Sequence, residues 1–190
     1  MICEGACDWR SCDRNCPKAE IWSELFKASG EINSLNRKRI LDSAANCLGE
    51  IVGLGACAIK ALGDEGAPPL IAVHGMREED LKSLAPGAEE EAIRQRKCAV
   101  FDLMGSPFAV VPISFKGRAL GIIYAKLGPG SPGAALPFIR AMADCIGAAL
   151  ENERRYRIAI GNWHEAVKEL WSKMDVWKSS KELPAISKGV

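Results

Sequence analysis

The stretch 107-PFAVVPISFKGRALGIIYAKL-127 decides how this chain folds. Two apolar runs, 107–115 and 119–127, are rich in branched and aromatic residues and are separated only by Lys116-Gly117-Arg118. Such runs suit a pleated, half-buried surface, and a short gap holding glycine closes them into an antiparallel hairpin. Upstream, 56-ACAIKALGDEGAPPLIAVHG-75 reads as strand, turn, strand: the first strand ends near Leu62, Gly63 to Pro69 supply turn residues, and Leu70 to Val73 form the second. Between the two pairs, 76-MREEDLKSLAPGAEEEAIRQRK-97 carries two short polar helical pieces split at Pro86-Gly87.

Long helical stripes flank these strands. Ile21, Leu25, Ala28, Ile32 and Leu35 recur every three or four residues. After a polar notch at 36–39, either a kink or a joint between two helices, the stripe continues through Ile40, Leu41, Ala44, Leu48, Ile51 and Val52, and Gly53 and Gly55 end it. Downstream, Ser131-Pro132 and Leu136-Pro137 open a last helix. Its positions Ile139, Met142, Ile146, Ala149, Glu153, Tyr156, Ile160, Trp163, Val167, Leu170, Met174 and Trp177 alternate steps of three and four, and only Glu153 is not apolar. This is a heptad seam, the pattern of a helix that packs along its length against another. Gly161 inside it costs about 1 kcal/mol relative to alanine and marks where the helix would bend if it folded back on its own domain. The seam persists beyond the length one domain needs to cover its core, which favours a bundle between two copies. The order of helix, strands, short helices, hairpin and helix implies an α+β fold with an antiparallel sheet.

Composition narrows the function. The chain has 190 residues, 48% hydrophobic and 26% charged, the profile of one globular domain with a good core. Its formal net charge of +1 supplies no basic field, so neither nucleic acid nor an anionic membrane is expected as a partner. The start, MICEGACDWR, is acidic and cysteine-rich where a secretory leader needs a basic start and an apolar run, and no stretch is long and apolar enough to span a bilayer. A cytoplasmic location is the expectation, and clustered thiols there serve more often as metal ligands or redox groups than as staples.

Cys3, Cys7, Cys12 and Cys16 fall in a segment, 1–17, that lacks helical or strand periodicity. Four thiolates this close suit an iron-sulfur cluster or zinc. Structural zinc prefers tighter pairs, and these wider gaps leave room for the larger cluster. Two other readings stand beside the metal site: redox-switching thiols or disulfides, with Arg10, Arg14 and Lys18 lowering the thiol pKa, or a tail without function. Cys47, Cys57 and Cys145 have apolar neighbours and read as packing residues. Cys98 follows IRQRK, so it is either a packing residue or a reactive thiol activated by nearby positive charge. The tryptophans Trp163, Trp171 and Trp177 sit on the last helix and read as packing residues.

The stretches 32-INSLNRKRILDSAANCLGEIVGLGACAIKALGDEG-66, LIAVHGM, FAVVPISFKGRALGIIYAKL and LPFIRAMADCIGAALENERRY together resemble a GAF domain, a ligand-sensing module of signalling proteins. The resemblance covers about residues 30 to 156 and is most specific in the hairpin and the alanine-rich helix after it. It implies a central antiparallel sheet of about five or six strands, with a small-molecule pocket and short helices on one face. On the other face the long first and last helices pack together and often make the dimer. The Asn-Lys-Phe-Asp-Glu set of the cyclic-nucleotide-binding members is not found, and neither His74 nor His164 has the adjacent cysteine of the bilin-binding members. Cys98 lies in the stretch where free-methionine-sulfoxide reductases of the family place cysteines, without their partner cysteines.

On that topology Phe101, Met104 and Phe108 line the pocket, Asp102 is a polar anchor, and His74, at a strand end, is either a ligand contact or a hydrogen-bonded structural residue. The resulting organisation is a cysteine-rich cap at 1–17, a sensory domain at 18–156, a coiled-coil-like helical extension at 157–178 and a tail at 179–190. The expected function is a dimeric sensory module for a small ligand or redox state, not an enzyme, acting on a separate output protein such as a kinase or regulator. Two alternatives are a small thiol-dependent reductase and a dimerisation scaffold that binds no ligand.

Overall fold

The computed structural model describes residues 34–63, 68–83, 86–103, 106–128 and 132–180, together with Ser23, Gly30 and Ile32. The notch at 36–39 is a helix start. Asn36 is extended and its side-chain oxygen accepts from the Arg39 amide at 3.0 Å, capping α1 (Arg37–Glu50); such a cap contributes ~1 kcal/mol. Ser23, Gly30 and Ile32, ahead of the notch, are helical as well.

Two strands follow, β1 (Cys57–Ala61) and β2 (Leu70–His74), then a 3-10 turn (Glu78–Ser83) and α2 (Pro86–Gln95). Three more strands complete the sheet: β3 (Ala99–Leu103), β4 (Ser106–Phe115) and β5 (Arg118–Lys126). The spatial order is β2-β1-β5-β4-β3, and every neighbouring pair is antiparallel. The hairpin turn is tighter than the three-residue gap suggests. Lys116 and Gly117 both have positive φ, 46° and 81°, and Phe115 pairs directly with Arg118. Two successive left-handed residues match the twist of the flanking strands, and glycine adopts that geometry without a Cβ clash.

Strand alternation builds two apolar layers. Cys57, Ile59, Ala61, Ala109, Val111, Ile113, Ile123 and Ala125 point to one side and share a buried core with Ile40, Leu41, Ala44 and Leu48 of α1. The same core takes in Ile139, Met142, Ile146 and Leu150 of the last helix, α3 (Pro132–Ser180). Both long helices thus serve one face of the sheet. The register shifts between Ile113 and Ser114, and this bulge brings Leu120 into the same core. On the other side Ala58, Phe108, Val110, Ile122 and Tyr124 form a second layer, covered by Met76, Leu81, Ala88, Ala92 and Ile93.

Helix α3 carries Pro132 at its first position, and it runs through Gly161 without a break. Contacts divide the chain into one compact unit ending at Glu153 and a second beginning at Arg154. Among the described residues no helix is long and apolar enough to cross a membrane.

Candidate functional site

The layer beneath α2 contains three polar groups that alternation and helix geometry bring together. Lys60 shares the parity of Ala58 on β1, and Tyr124, opposite Ala58 on β5, points the same way. Glu89 lies in the first turn of α2, where a carboxylate is favoured by the unpaired helix amides. Lys60 Nζ donates to Glu89 Oε2 at 2.8 Å and to Oε1 at 3.1 Å. The Tyr124 hydroxyl donates to Glu89 Oε1. The tyrosine is 1% exposed, and both members of the ion pair are mostly covered. Burial, then the hydrogen bond to Glu89 and its negative charge, push the Tyr124 phenol above its ordinary range. It therefore acts as a hydrogen-bond donor throughout the neutral range. One carboxylate thus accepts from an ammonium and a phenol inside an otherwise apolar layer.

Phe101 and Phe108 face each other across β3 and β4, their ring centroids 6.4 Å apart and stacked, and both belong to this layer. Asp102 is in β3, but its side chain lies outside the described residues, as does all of Met104. His74 is on the opposite face. It pairs with Cys57 and has the parity of Ala72, which is in the α1 core, and its imidazole occupies the space a Cβ on Gly49 of α1 would need. The pocket role expected for His74 therefore has no basis in its orientation: one residue of register sends it to the helix side.

Cys98 also packs on the helix side, and its positive neighbour is Arg140 of α3. Burial raises its pKa and outweighs the pull of Arg140, so its environment is not the activating one expected from IRQRK. Cys57, whose Sγ lies 3.5 Å from the Ala45 carbonyl, is pushed by burial and by Cys47 from the ordinary 9.0 to about 12. Above pH 9 the unfolded chain releases this proton while the folded chain holds it. Stability conferred by the neutral thiol is therefore complete below about pH 9 and is lost as pH rises towards 12, at about 1.4 kcal/mol per pH unit for one group. Urea unfolding between pH 8 and 11 will show a steeper alkaline loss in wild type than in Cys57→Ala; equal slopes would refute the assignment.

The cap cysteines Cys3, Cys7, Cys12 and Cys16 lie outside the described residues. Among the described residues no three His, Cys, Asp or Glu side chains gather closely enough to hold a metal ion. The metal expectation thus rests wholly on that cap.

The seam of α3 divides. Ile139, Met142, Ile146, Ala149 and Glu153 are buried in the first unit. In the second unit Tyr156, Ile160, Trp163, Leu170 and Met174 are exposed, Trp163 at 61% and Leu170 at 62%. The ion pairs Glu165–Lys168 at 3.0 Å and Glu169–Lys173 at 2.6 Å lie off this stripe, on a side of the helix that also carries Asn162 and Ser172.

Lysine 60, Glu89 and Tyr124 were not among the residues singled out from sequence. The one signal pointing to them is the polarity of Lys60 and Tyr124 on otherwise apolar strands.

No protein-family model matches the sequence, and no curated protein does. Solved structures are similar in fold. The GAF domain of an Acinetobacter phosphoenolpyruvate-protein phosphotransferase superposes with a TM-score of 0.59 at 15% identity, over 70% of this chain and 94% of that one. The GAF domain of the corresponding Coxiella burnetii protein gives 0.58 at 15% identity, over 74% and 98%. Free methionine-R-sulfoxide reductase from Neisseria meningitidis, solved with its substrate, gives 0.57 at 16% identity, over 76% and 96%. The chain has a GAF-like fold.

Proposed function

We propose that this chain is a cytoplasmic sensory module, not an enzyme, that reads a small ligand on the α2 face of its sheet and works as a homodimer through the seam of α3. The observation that carries the reading is the seam itself. A single helix supplies core residues to the GAF-like domain and then keeps the same apolar period over a stretch where Trp163 and Leu170 are open. Large apolar side chains exposed in a regular stripe mark an interaction surface. Ile160 and Val167, both β-branched, alternate with Tyr156, Trp163 and Leu170, and β-branched residues at such alternate seam positions favour two strands. A ligand that binds one arrangement of the domain better would shift the helices of the pair, and the shift would be read by a separate output protein such as a kinase or regulator.

Two features weigh against the reductase alternative. Cys57 and Cys98 pack on the face opposite Phe101, Phe108 and Tyr124, and burial keeps both thiols protonated. Sedimentation velocity over a range of concentrations tests the reading: a dimer is expected, and a monomer at every concentration would overturn it. The four-cysteine cap extends the proposal with a seat for an iron-sulfur cluster or zinc, supported by the count and closeness of its thiols. Metal and acid-labile sulfide analysis of anaerobically purified protein should find metal that is lost when Cys3, Cys7, Cys12 and Cys16 are changed to serine. Metal-free wild-type protein would refute that part alone.

A further inference from the structure

We propose that Glu89 is a built-in occupant of an anion seat formed by Lys60 and Tyr124, and that the ligand of this face is a small organic carboxylate with an apolar body, which displaces Glu89 and releases α2. The proposal rests on the sensory reading above and adds the ligand class and the switch. The chemistry of the seat selects the ligand. Lys60 donates to both oxygens of one planar carboxylate and the Tyr124 hydroxyl to one of them, which satisfies a monoanion. A dianion would be left with one charge unmatched by this single ammonium. Around the seat Ala58, Val110, Ile122, Phe101 and Phe108 offer only apolar surface, which suits a hydrocarbon or ring attached to the carboxylate.

The lid is built to be exchanged. Helix α2 has ten residues, too short to be stable alone, and it meets the layer chiefly through Ala88, Ala92 and Ile93. With two alanines among these three contacts, the Glu89 latch carries a large share of its attachment. Replacing one carboxylate by another leaves the charge of the seat unchanged, so the exchange demands no uncompensated buried charge. Ligand binding and α2 closure then compete for the same two donors, and ligand shifts the population towards the open lid.

The test uses the full chain, with amide hydrogen exchange of 86–95 and amide chemical shifts of Lys60 and Tyr124, titrated with benzoate and, separately, with inorganic phosphate. Glu89→Ala should speed exchange in α2 by about tenfold or more while β4 and β5 keep wild-type protection. Benzoate should speed α2 exchange in wild type and shift Lys60 and Tyr124 in both proteins, with a half-saturating concentration about tenfold lower in Glu89→Ala, where no internal carboxylate competes. Lys60→Met should abolish the shifts. The near-isosteric Glu89→Gln serves if the alanine variant does not fold. Unchanged α2 exchange in these Glu89 variants would overturn the latch, an absence of benzoate shifts in Glu89→Ala would overturn the seat, and equal responses to phosphate would overturn the ligand class. None of these readouts depends on dimerisation, so failure here is distinct from a failure of the sedimentation test.

Discussion

Changing Gly147 to valine will lower the melting temperature by about 6–12 °C, a loss of roughly 3 kcal/mol for a chain of this size. Gly147 lies where α3 approaches β4 beside the bulge. A Cβ there would stand 2.7 Å from the Ser114 carbonyl oxygen and 3.3 Å from its carbon. Both atoms are backbone and cannot rotate aside, so the helix must lift and the neighbouring Ile146 and Leu150 lose contact with the sheet core. The same helix provides the control. At Gly161 a Cβ meets nothing within 4 Å, so Gly161→Ala should raise helix stability by up to about 1 kcal/mol. Thermal unfolding by circular dichroism reads both. A Gly147→Val protein that melts with wild type would mean that α3 does not approach the sheet as described.

The double variant Trp163→Glu/Leu170→Glu should weaken self-association at least a hundredfold while leaving the domain's melting temperature unchanged. The two residues occupy alternate seam positions, are more than half exposed and belong to the second unit, so they contribute little to the folded core. Between two copies they would be central, where burial of a large apolar side chain is worth about 2 kcal/mol or more and an unpaired carboxylate reverses its sign. Asn162→Glu/Ser172→Glu adds the same charge beside the Glu165–Lys168 and Glu169–Lys173 ion pairs, off the stripe, and should leave association intact. Sedimentation equilibrium distinguishes them. If both double variants weaken association equally, net charge rather than the seam governs it.

Features that depend on neighbours in the chain were legible in the sequence, and those that depend on distant residues were not. The hairpin around Lys116-Gly117 was legible because two apolar runs of period two and a glycine-bearing turn are neighbours in the chain. The stripe from Ile40 to Leu48 and the period of the seam were legible for the same reason, since a repeat of three and four residues is local. Of the stripe ahead of them, Ile21, Leu25 and Ala28 lie outside the described residues, and Leu35 is an exposed bend. The strand at 99–103 was not read from sequence, because among the described residues it is an edge strand paired with β4 alone and its sequence, AVFDL, is too short to show its alternation.

The site was far less legible. Phe101 and Phe108 were grouped only through the topology that the resemblance implies, and His74 and Cys98 could not be assigned a face, because a single step of register reverses a strand residue. The Lys60–Glu89 and Tyr124–Glu89 contacts join residues 29 and 35 positions apart on three different elements. No local pattern encodes that meeting. Sequence by itself determined the central hairpin, the strand pair before it, the long helices and the apolar stripe that outlasts the domain, because each follows from the chemistry of neighbouring residues. Only the tertiary structure decided that one carboxylate from α2 closes on an ammonium and a phenol from the sheet, because that contact depends on how a helix and two strands pack rather than on any one of them.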